Sequence, residues 1–352
     1  MSLYKRLLLA RKIVLSLPKR PPLWEIVAIQ LIRAWGMISL FFERLIFTDH
    51  ILKEPIIIIG MPRTGTTFIH RWLHKNEVGV GRELWQILFP SRIQQWMIKP
   101  VLPFLESFSP TRHHPLSIHK SGLQEIEVDE AGILLHHFDG FFLYAFILAH
   151  AEDDLLNLVD PQMDSRLRED WRWYQQLWKE DKSPVLAKIF GCGAQVPLLL
   201  ELQPDARLIY TIRDPRESIP STLSLLRAVL NARFGFSSLP KIKQQRYYRR
   251  ITKSLLMLQR RFWTDWHEHR FDRDRVFLLE HRAVKLHFEE QIQELLSWLG
   301  VDVTEELKSS ILLQAKSQTT FKSKHHYALE EFGLDPLELE AQAEWIKNIR
   351  TI

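Results

Sequence analysis

Two glycines separated by four residues mark the part of the sequence whose chemistry is clearest. Gly60 and Gly65 stand between an apolar run rich in isoleucine and a segment of helical character. In such a strand–loop–helix turn the backbone N–H groups point inward, and the helix N-terminus adds the positive end of its dipole. Thr66 and Thr67 add two hydroxyl groups, and Arg63 adds a cation. These residue types at this spacing predict a phosphate-binding loop.

The loop departs from the nucleoside-triphosphate enzymes at one position. Those enzymes place a lysine directly after the second glycine, where it reaches the β- and γ-phosphates. This sequence has Thr66 there, and its nearest cation, Arg63, lies inside the loop. The loop is therefore poorly suited to hydrolysis of ATP or GTP and better suited to a donor with a single phosphate–sulfate anhydride. The alternative interpretation is an ordinary turn in which the glycines only allow tight packing.

A second anion site is predicted where another apolar run ends. Arg213 follows the run 207–212, and Ser221 comes eight residues later in a segment that we expect to be helical. A guanidinium fork together with a hydroxyl in the first turn of a helix matches a dianionic phosphate. We expect this helix to begin at Pro220, because proline costs little in a first turn.

Together the two motifs resemble those of sulfotransferases that use 3′-phosphoadenosine 5′-phosphosulfate (PAPS). The segment 62–67 resembles the loop that binds the 5′-phosphosulfate group, and the second motif resembles the 3′-phosphate site. The resemblance covers roughly residues 55–335, and the segment 324–327 looks like the closing segment of the bacterial-type branch. It implies PAPS as co-substrate, adenosine 3′,5′-bisphosphate as product, and the following donor-binding residues: Arg63, Thr64, Gly65, Thr66, Thr67, Arg213, Ser221 and Lys324. For Lys324, a lid over the nucleotide and a basic surface are equally open.

The resemblance implies an enzyme that moves an SO₃ unit from the anhydride to a hydroxyl or amine. The attacking atom must lose a proton, and the leaving phosphate must be stabilised as charge grows on it. The family commonly places a lysine at the end of the strand near the bridging oxygen, and Lys188 stands where that position falls. The alternative is a lysine whose ammonium group reaches solvent past the strand end.

Two residues are candidates for the general base. Glu83 lies twenty residues after Arg63, a distance similar to that of the base in tyrosylprotein sulfotransferases. His119 is the nearest analogue of the histidine that serves the cytosolic branch. We favour Glu83, and the geometry of proton transfer is the deciding test. The alternative for Glu83 is a surface carboxylate at the start of a helix.

No pattern of metal ligands stands out. His70 and His74 are four residues apart on an expected helix, but the residues between them lack the glutamate of a zinc-protease motif. The acidic cluster at 125–130 is better explained as a solvated helix start, and a position facing the acceptor is its alternative. We therefore predict a site that uses no metal.

Apolar runs and helical segments alternate along the chain. The four runs typical of buried parallel strands are 55–60, 185–189, 207–212 and 276–279. The helical segments are 65–74, a tryptophan-rich stretch at 165–180, 196–202, 220–230 and 289–299. The alternation predicts an α/β fold with a central parallel sheet flanked by helices, and the resemblance makes it a three-layer P-loop-like fold. The donor would bind along the carboxyl ends of the strands.

Composition excludes several classes of protein. The 352 residues are 46% hydrophobic and 25% charged, which is ordinary globular usage and excludes a disordered chain. A single cysteine, Cys192, excludes a fold stapled by internal disulfides and a cysteine-rich metal site. Lys and Arg number 47 and Asp and Glu 42, so the net charge is +5. That bias favours an anionic small ligand or membrane surface over nucleic acid.

The first fifty residues are expected to form a helical extension to a sulfotransferase domain at 51–352. The first twenty carry six basic residues and no acidic one, and the segment 23–47 is strongly apolar. We favour a helix packed into the core. The alternative is a helix lying on an anionic bilayer, with Trp24, Trp35 and Phe41 inserted.

Localisation follows from the lengths of the apolar runs. The longest uncharged run, 140–151, has twelve residues, whereas roughly 20 are needed to cross a bilayer. We expect a cytoplasmic protein, and peripheral membrane contact through residues 1–47 stays open.

The acceptor pocket is expected in the segment 81–150, which is rich in Phe, Leu, Trp and His. Such a lining favours a lipid-like, aromatic or glycolipid acceptor. Two other functions stay open. A P-loop kinase for small molecules is opposed by Thr66 in the place of lysine. A non-catalytic, membrane-attached nucleotide-binding scaffold is opposed by the presence of Glu83, Lys188 and the complete loop.

Overall fold

The chain forms two compact units. The computed structural model describes residues 3–46, 53–107, 122–126, 140–155, 167–168, 171, 184–320 and 328–343. The unit that we call the helical unit comprises Met1–Leu52, Arg82–Glu180 and Thr222–Met257, and the one that we call the sheet unit comprises Lys53–Gly81, Asp181–Ser221 and Leu258–Ile352. The predicted domain boundary at residue 50 rests on the sequence pattern and stays a prediction.

Four parallel strands form the sheet. They are β1 (Ile56–Gly60), β2 (Leu186–Lys188), β3 (Arg207–Ile212) and β4 (Val276–Glu280), in the spatial order β2-β1-β3-β4. Every residue of β1 is buried, as expected for a central parallel strand that is apolar on both faces. The central pair runs in register from Ile56 opposite Arg207 to Gly60 opposite Thr211. All four predicted strands are confirmed, and their carboxyl ends lie at one edge of the sheet.

Helices cover both faces of the sheet. Numbered along the whole chain, the helices of the sheet unit are α3 (Thr66–Lys75), α8 (Val196–Leu202), α11 (His281–Leu286), α12 (Phe288–Leu299), α13 (Glu305–Thr320) and α14 (Pro336–Gln342). On one face, Trp72 and Phe288 pack against the sheet with their ring centroids 5.6 Å apart. On the other, Trp263 meets Tyr210 of β3 edge to face at 6.2 Å. The predicted three layers are therefore present.

The helix after β3 begins earlier than predicted. This helix, α9 (Pro215–Phe234), contains Pro220 in its interior, so the predicted start at Pro220 is wrong. Asp214 supplies the true start, because its Oδ1 accepts a hydrogen bond of 2.9 Å from the backbone N–H of Arg216. Pro215 then occupies the first helical position, where proline is well tolerated. The predicted helix at 165–180 lies almost wholly outside the described residues.

The described elements confined to the helical unit are all helical. They are α1 (Leu3–Ser16), α2 (Leu23–Ile46), α4 (Leu84–Leu88), α5 (Arg92–Ile98), α6 (Leu102–Glu106) and α7 (Gly140–Phe146). Most of α9 and of α10 (Lys241–His267) also belongs to this unit. The chain between α1 and α2 contacts α9, because the N–H of Lys19 donates to the carbonyl of Phe234 at 2.9 Å. The predicted helical character of the N-terminal region is confirmed.

The described helices give no membrane span. None of them combines the length and the apolar character that crossing a bilayer requires.

Candidate active site

The carboxyl ends of the four strands each carry a residue or loop suited to binding an anion. β2 ends at Lys188, β1 leads into the loop that starts at Gly60, β3 leads into Arg213, and β4 leads into His281. In the strand order β2-β1-β3-β4 these positions are neighbours along one edge of the sheet. Open parallel sheets place their ligands at this edge. All of these positions belong to the sheet unit.

Both glycines of the loop are required by local geometry. Gly60 has a φ of 140°, and a Cβ there would lie 2.2 Å from Oγ1 of Thr211 on the neighbouring strand. Gly65 has a φ of 94° and precedes the first residue of α3. A side chain at either position would be strained, since L-residues rarely adopt such φ values. The G-x-x-x-x-G spacing therefore reflects two backbone positions, one at each end of the loop, that favour glycine.

Arg63 is the point where the two predicted motifs meet. Its φ is 67°, a left-handed conformation that is costly for a residue other than glycine and that is often found at functional sites. Its Nε donates a 3.1 Å hydrogen bond to Oγ of Ser221. Its backbone carbonyl accepts a 2.9 Å hydrogen bond from Nη1 of Arg213. Residues 158 and 150 positions apart in sequence are thus joined into one cluster.

Ser221 occupies a different position in its helix than predicted. Because α9 begins at Pro215, Ser221 lies in the second turn of the helix, and the predicted first-turn position is wrong. The helix dipole acts within the first turn, so it adds little at this hydroxyl. The side chain of Ser221 is buried and accepts from the Arg63 guanidinium. The hydroxyl is therefore aligned by an arginine.

Thr64 contacts strand β3 and stabilises the loop. Its Oγ1 donates to the carbonyl of Met61 at 2.6 Å and lies 2.6 Å from Oγ1 of Thr211. Thr211 in turn donates to the carbonyl of Ile59. With Thr64 only 2% exposed, this hydroxyl stabilises the turn from inside.

Lys188 and Thr67 are in contact at the start of α3. Lys188 stands opposite Ile58 in the sheet, and its Nζ donates a 3.1 Å hydrogen bond to Oγ1 of Thr67 in the first turn of α3. Lys188 is only 2% exposed, so its ammonium group does not reach freely into solvent past the strand end. Thr66, directly before Thr67, is also buried. A buried cation thus lies at the positive end of a helix, which favours a nearby anion.

His70, one turn further along α3, is neutral. Burial lowers its pKa well below the usual value, and the Lys188 charge lowers it further. Its Nε2 lies 3.0 Å from the carbonyl of Leu186, which requires a proton on that nitrogen. His74 instead accepts, at Nδ1, a 3.1 Å hydrogen bond from the N–H of Gly81. Both imidazoles are therefore engaged by backbone groups.

Metal ligands do not cluster in the described part of the chain. No group of three or more His, Cys, Asp or Glu side chains suited to a metal ion occurs there. The predicted use of no metal stays a prediction.

The two arginines of the second motif have different environments. The Arg213 guanidinium contacts the loop and pairs through Nε with Glu217 at 3.1 Å. The Arg216 guanidinium is half exposed and pairs with Asp214 at 2.7 Å. The first therefore contacts the loop, and the second forms an ion pair at the surface.

His281 is a site residue that the sequence analysis missed. It directly follows β4, and a Cβ added to Gly65 would lie 3.2 Å from its Cδ2. Burial lowers its pKa to about 4, and the Arg213 charge contributes. The available signal was its position: like Lys188 and Arg213, it stands at the carboxyl end of a predicted parallel strand.

Acid should destabilise the protein through its buried histidines. The pKa of His281 is about 4 in the folded state and near 6.5 when unfolded, so between these values the unfolded chain binds more protons. The free energy of unfolding should therefore fall as the pH drops from 6.5 to 4, by at most about 1.4 kcal/mol per pH unit for one such group. Urea unfolding at several pH values measures the slope. His281→Asn should flatten it, whereas His287→Asn, at a 59% exposed side chain, should not. A steeper slope in the His281 variant would contradict the assignment.

Glu83 lies in the helical unit at the start of α4. Its backbone N–H donates to Oε1 of Gln86 at 3.0 Å, and its carboxylate accepts from Nε1 of Trp85. The backbone N–H of the next residue, Leu84, donates a 3.0 Å hydrogen bond to the carbonyl of Glu125. Hydrogen bonds within α4 and to the segment around Glu125 therefore both stabilise the start of the helix. Glu83 therefore stands at a helix start, as its alternative interpretation expected, and its role as a base stays a prediction. His119 and Lys324 lie outside the described residues.

The site residues in the sheet unit form two groups that are chemically suited to anions. One part combines the loop, the α3 N-terminus and Lys188, and the other combines Arg213 with Ser221, while Arg63 joins them. Charged donors in partly buried positions bind phosphate oxygens about twice as strongly as neutral ones. Two such parts next to each other suit a ligand with two anionic groups.

Comparison with known proteins identifies a family that matches this chain. A model of the Sulfotransferase family matches residues 55–305. The omega-hydroxy-beta-dihydromenaquinone-9 sulfotransferases Stf3 of Mycobacterium bovis and Mycobacterium tuberculosis are each 25% identical over 198 residues. That match covers 54% of this chain and 50% of each relative, so the chain spans about half the length of the curated relatives it matches.

Two solved structures share the fold. Sulfotransferase STF9 from Mycobacterium avium gives a TM-score of 0.76 at 19% identity, covering 99% of this chain and 91% of that one. Sulfotransferase STF1 from Mycobacterium tuberculosis gives 0.60 at 16% identity, covering 83% and 76%. At these identities the likeness supports the fold alone, and it confirms the predicted P-loop-like α/β architecture. Since the family model spans more than half of the sequence, the chain belongs to the sulfotransferase family.

Proposed function

We propose that this protein transfers a sulfuryl group from PAPS to a hydroxyl or amine of an apolar, lipid-like acceptor. The observation that carries the proposal is the hydrogen-bonded cluster of Arg63, Arg213 and Ser221 beside a phosphate-type loop without the P-loop lysine. A nucleotide with separate 5′ and 3′ anionic groups matches such a pair of adjoining sites. The family membership supports the reaction class.

The donor would be held from both sides of Arg63. The loop from Gly60 to Gly65, with Thr66 and Thr67, would bind the 5′-phosphosulfate at the N-terminus of α3. Arg213 and Ser221 would bind the 3′-phosphate through a charge-assisted fork and a hydroxyl. Both parts are assembled in the sheet unit by contacts between the two motifs themselves.

The transfer itself would be an in-line displacement at sulfur. The acceptor oxygen or nitrogen forms a bond to sulfur while the bond from sulfur to the bridging oxygen breaks, and that oxygen keeps the electron pair. Lys188, held near the first turn of α3, would stabilise the growing charge on the leaving bisphosphate. The acceptor proton would pass to a general base, for which we propose Glu83, with His119 as the alternative.

The proposed acceptor class rests on two supports. The segment 81–150 is rich in apolar and aromatic residues, although only part of it is described. A curated relative is named for its action on a hydroxylated menaquinone, which is a lipid-like molecule. A small molecule with a long apolar body and one nucleophilic group fits both.

A thermal-shift titration tests the donor assignment. Adenosine 3′,5′-bisphosphate without magnesium should raise the melting temperature by a few degrees at a ligand concentration about a hundredfold above Kd, equivalent to about 2.7 kcal/mol. Stabilisation by Mg-ATP alone would contradict the proposal and favour a kinase. A radiolabelled donor offered with a panel of acceptors, read by the mass shift of the product, tests the transfer. A chain that binds the bisphosphate but labels no acceptor would be a non-catalytic scaffold.

A further inference from the structure

Helix α2 exposes a continuous apolar face. Counted at about 100° per residue, its exposed large apolar side chains fall within an arc of about 100°. They are Trp24, Val27, Leu31, Ile38, Phe41, Phe42 and Leu45. An arc of this width normally faces the protein core. Here it faces outward, and Leu31 and Leu45 are 65% and 70% exposed.

The acidic residues of α2 lie on its opposite side. Glu25 and Glu43 are separated by five helical turns, so they share one face, and both are buried. Glu25 pairs with Arg233 at 3.5 Å, and the Glu43 carboxylate accepts a 2.6 Å hydrogen bond from Oγ of Ser91. The exposed face of α2 therefore carries no carboxylate that would repel an anionic surface.

A second apolar face lies in the same unit. Helices α5 and α6 and the short turn between them expose large apolar residues at helical spacing, namely Ile93, Trp96, Met97, Val101 and Phe104. Trp96 is 80% exposed. The two faces belong to one unit, and the start of α5 contacts the buried side of α2, where Glu43 also accepts a 3.2 Å hydrogen bond from the N–H of Ile93. We call these two faces together the apolar surface.

The exposed charges of α1, of the chain between α1 and α2, and of the turn between α5 and α6 are basic. Within residues 3–46 and 91–106 the acidic residues are the two buried glutamates of α2 and the half-buried Glu106, whose Oε2 accepts a 2.9 Å hydrogen bond from the N–H of Leu123. The exposed basic residues in the same ranges include Lys5, Arg11, Lys12, Arg20 and Lys99. Apolar side chains flanked by lysine and arginine, with tryptophan among them, are the composition of helices that lie in the headgroup region of anionic membranes.

We infer that the apolar surface binds the helical unit to bilayers that contain anionic lipid. Helix α2, about 36 Å long, would lie in the plane of the interface, with α5 and α6 inserted beside it. The sequence analysis left membrane contact open for residues 1–47, and α5 and α6 add a part that it did not foresee. Trp35, expected among the inserted residues, is half-buried and packs against Phe89 with centroids 6.2 Å apart. This inference is independent of sulfuryl transfer.

A second copy of the chain is the competing occupant. In a symmetric dimer the same patch would face itself, so the basic residues around it would be brought near one another. An anionic bilayer instead pairs each of them with opposite charge, at about fivefold in affinity per residue. The charge pattern therefore favours the bilayer.

Vesicle flotation of the full chain without donor or acceptor tests the inference. The protein should float with vesicles of phosphatidylcholine and phosphatidylserine, and less with phosphatidylcholine alone or at high salt. The double variant Leu31→Glu and Trp96→Glu should lose at least about tenfold in vesicle affinity, since each change removes an inserted apolar group. Lys12→Glu with Lys99→Glu should lower binding only to the anionic vesicles.

Matched controls are available on the sheet unit. Leu313→Glu and Leu337→Glu change side chains that are 71% and 75% exposed, and Lys308→Glu changes an exposed lysine. These variants should float like the unmodified chain. Undiminished flotation of the Leu31 and Trp96 double variant would overturn the inference. A wild-type dimer that the same variant dissociates, without vesicle binding, would assign the surface to a second copy instead.

Discussion

Arg213→Ala should weaken the binding of adenosine 3′,5′-bisphosphate about a thousandfold, or roughly 4 kcal/mol. The guanidinium contributes the charge for the proposed 3′-phosphate site, and it also donates to the carbonyl of Arg63 in the loop. Loss of the guanidinium would therefore remove a contact to the 3′-phosphate. It would also destabilise the left-handed conformation of Arg63 in the loop. Isothermal titration with the bisphosphate measures the change.

Arg216→Ala is the matched control for this experiment. Arg216 lies three residues further along the same motif, and its guanidinium pairs with Asp214 at the surface. Exposed pairs contribute about 0–1 kcal/mol, so this variant should bind the nucleotide nearly as well as the unmodified protein. Comparable losses in the two variants would contradict a specific role for Arg213. Equal melting temperatures without ligand would show that both variants are folded.

Glu83→Gln should lower kcat about a thousandfold while leaving the affinity for the bisphosphate unchanged. A positioned base contributes about 10²- to 10⁴-fold, and an amide cannot accept the acceptor's proton. Glutamine can still accept the hydrogen bond from Nε1 of Trp85 that the carboxylate accepts in the native protein. The start of α4 should therefore survive the change. Single-turnover kinetics with a fixed acceptor measure the chemical step.

The neighbouring carboxylate Glu125 supplies a control for Glu83. Its backbone carbonyl accepts a hydrogen bond from the N–H of Leu84, the residue after Glu83. Glu125→Gln changes the charge by the same amount as Glu83→Gln. This variant should turn over normally. If Glu83→Gln also turns over normally while His119→Ala does not, the base is His119 and the proposed assignment is wrong.

The sheet and the loop could be predicted because their signals are local. The run of isoleucines at 56–59 is buried on both faces, which only a central strand between layers allows. Gly60 and Gly65 have φ values of 140° and 94°, so their identity follows from backbone geometry. Lys188 followed from the family resemblance, which places a lysine at the end of this strand.

The contacts within the site could not be predicted, because they depend on tertiary geometry. Nothing in the sequence states that the Arg63 side chain reaches Ser221, or that the Arg213 side chain reaches back to the loop. The start of α9 was misplaced because Pro220 was taken as the stronger signal, although Asp214 and Pro215 together make the better helix start. His281 was missed because histidine after a strand is common and its burial becomes visible only in three dimensions.

The hydrogen bond between the Arg213 side chain and the Arg63 backbone would make the two parts of the proposed donor site thermodynamically interdependent. Hydrogen bonds between the two motifs already order both of them. Nucleotide binding should therefore cost little further conformational entropy. A substitution at one end is thereby transmitted to the other. In the proposed donor complex, the affinities for the two anionic groups would change together, and the site would discriminate the doubly charged nucleotide from its singly charged relatives as a unit.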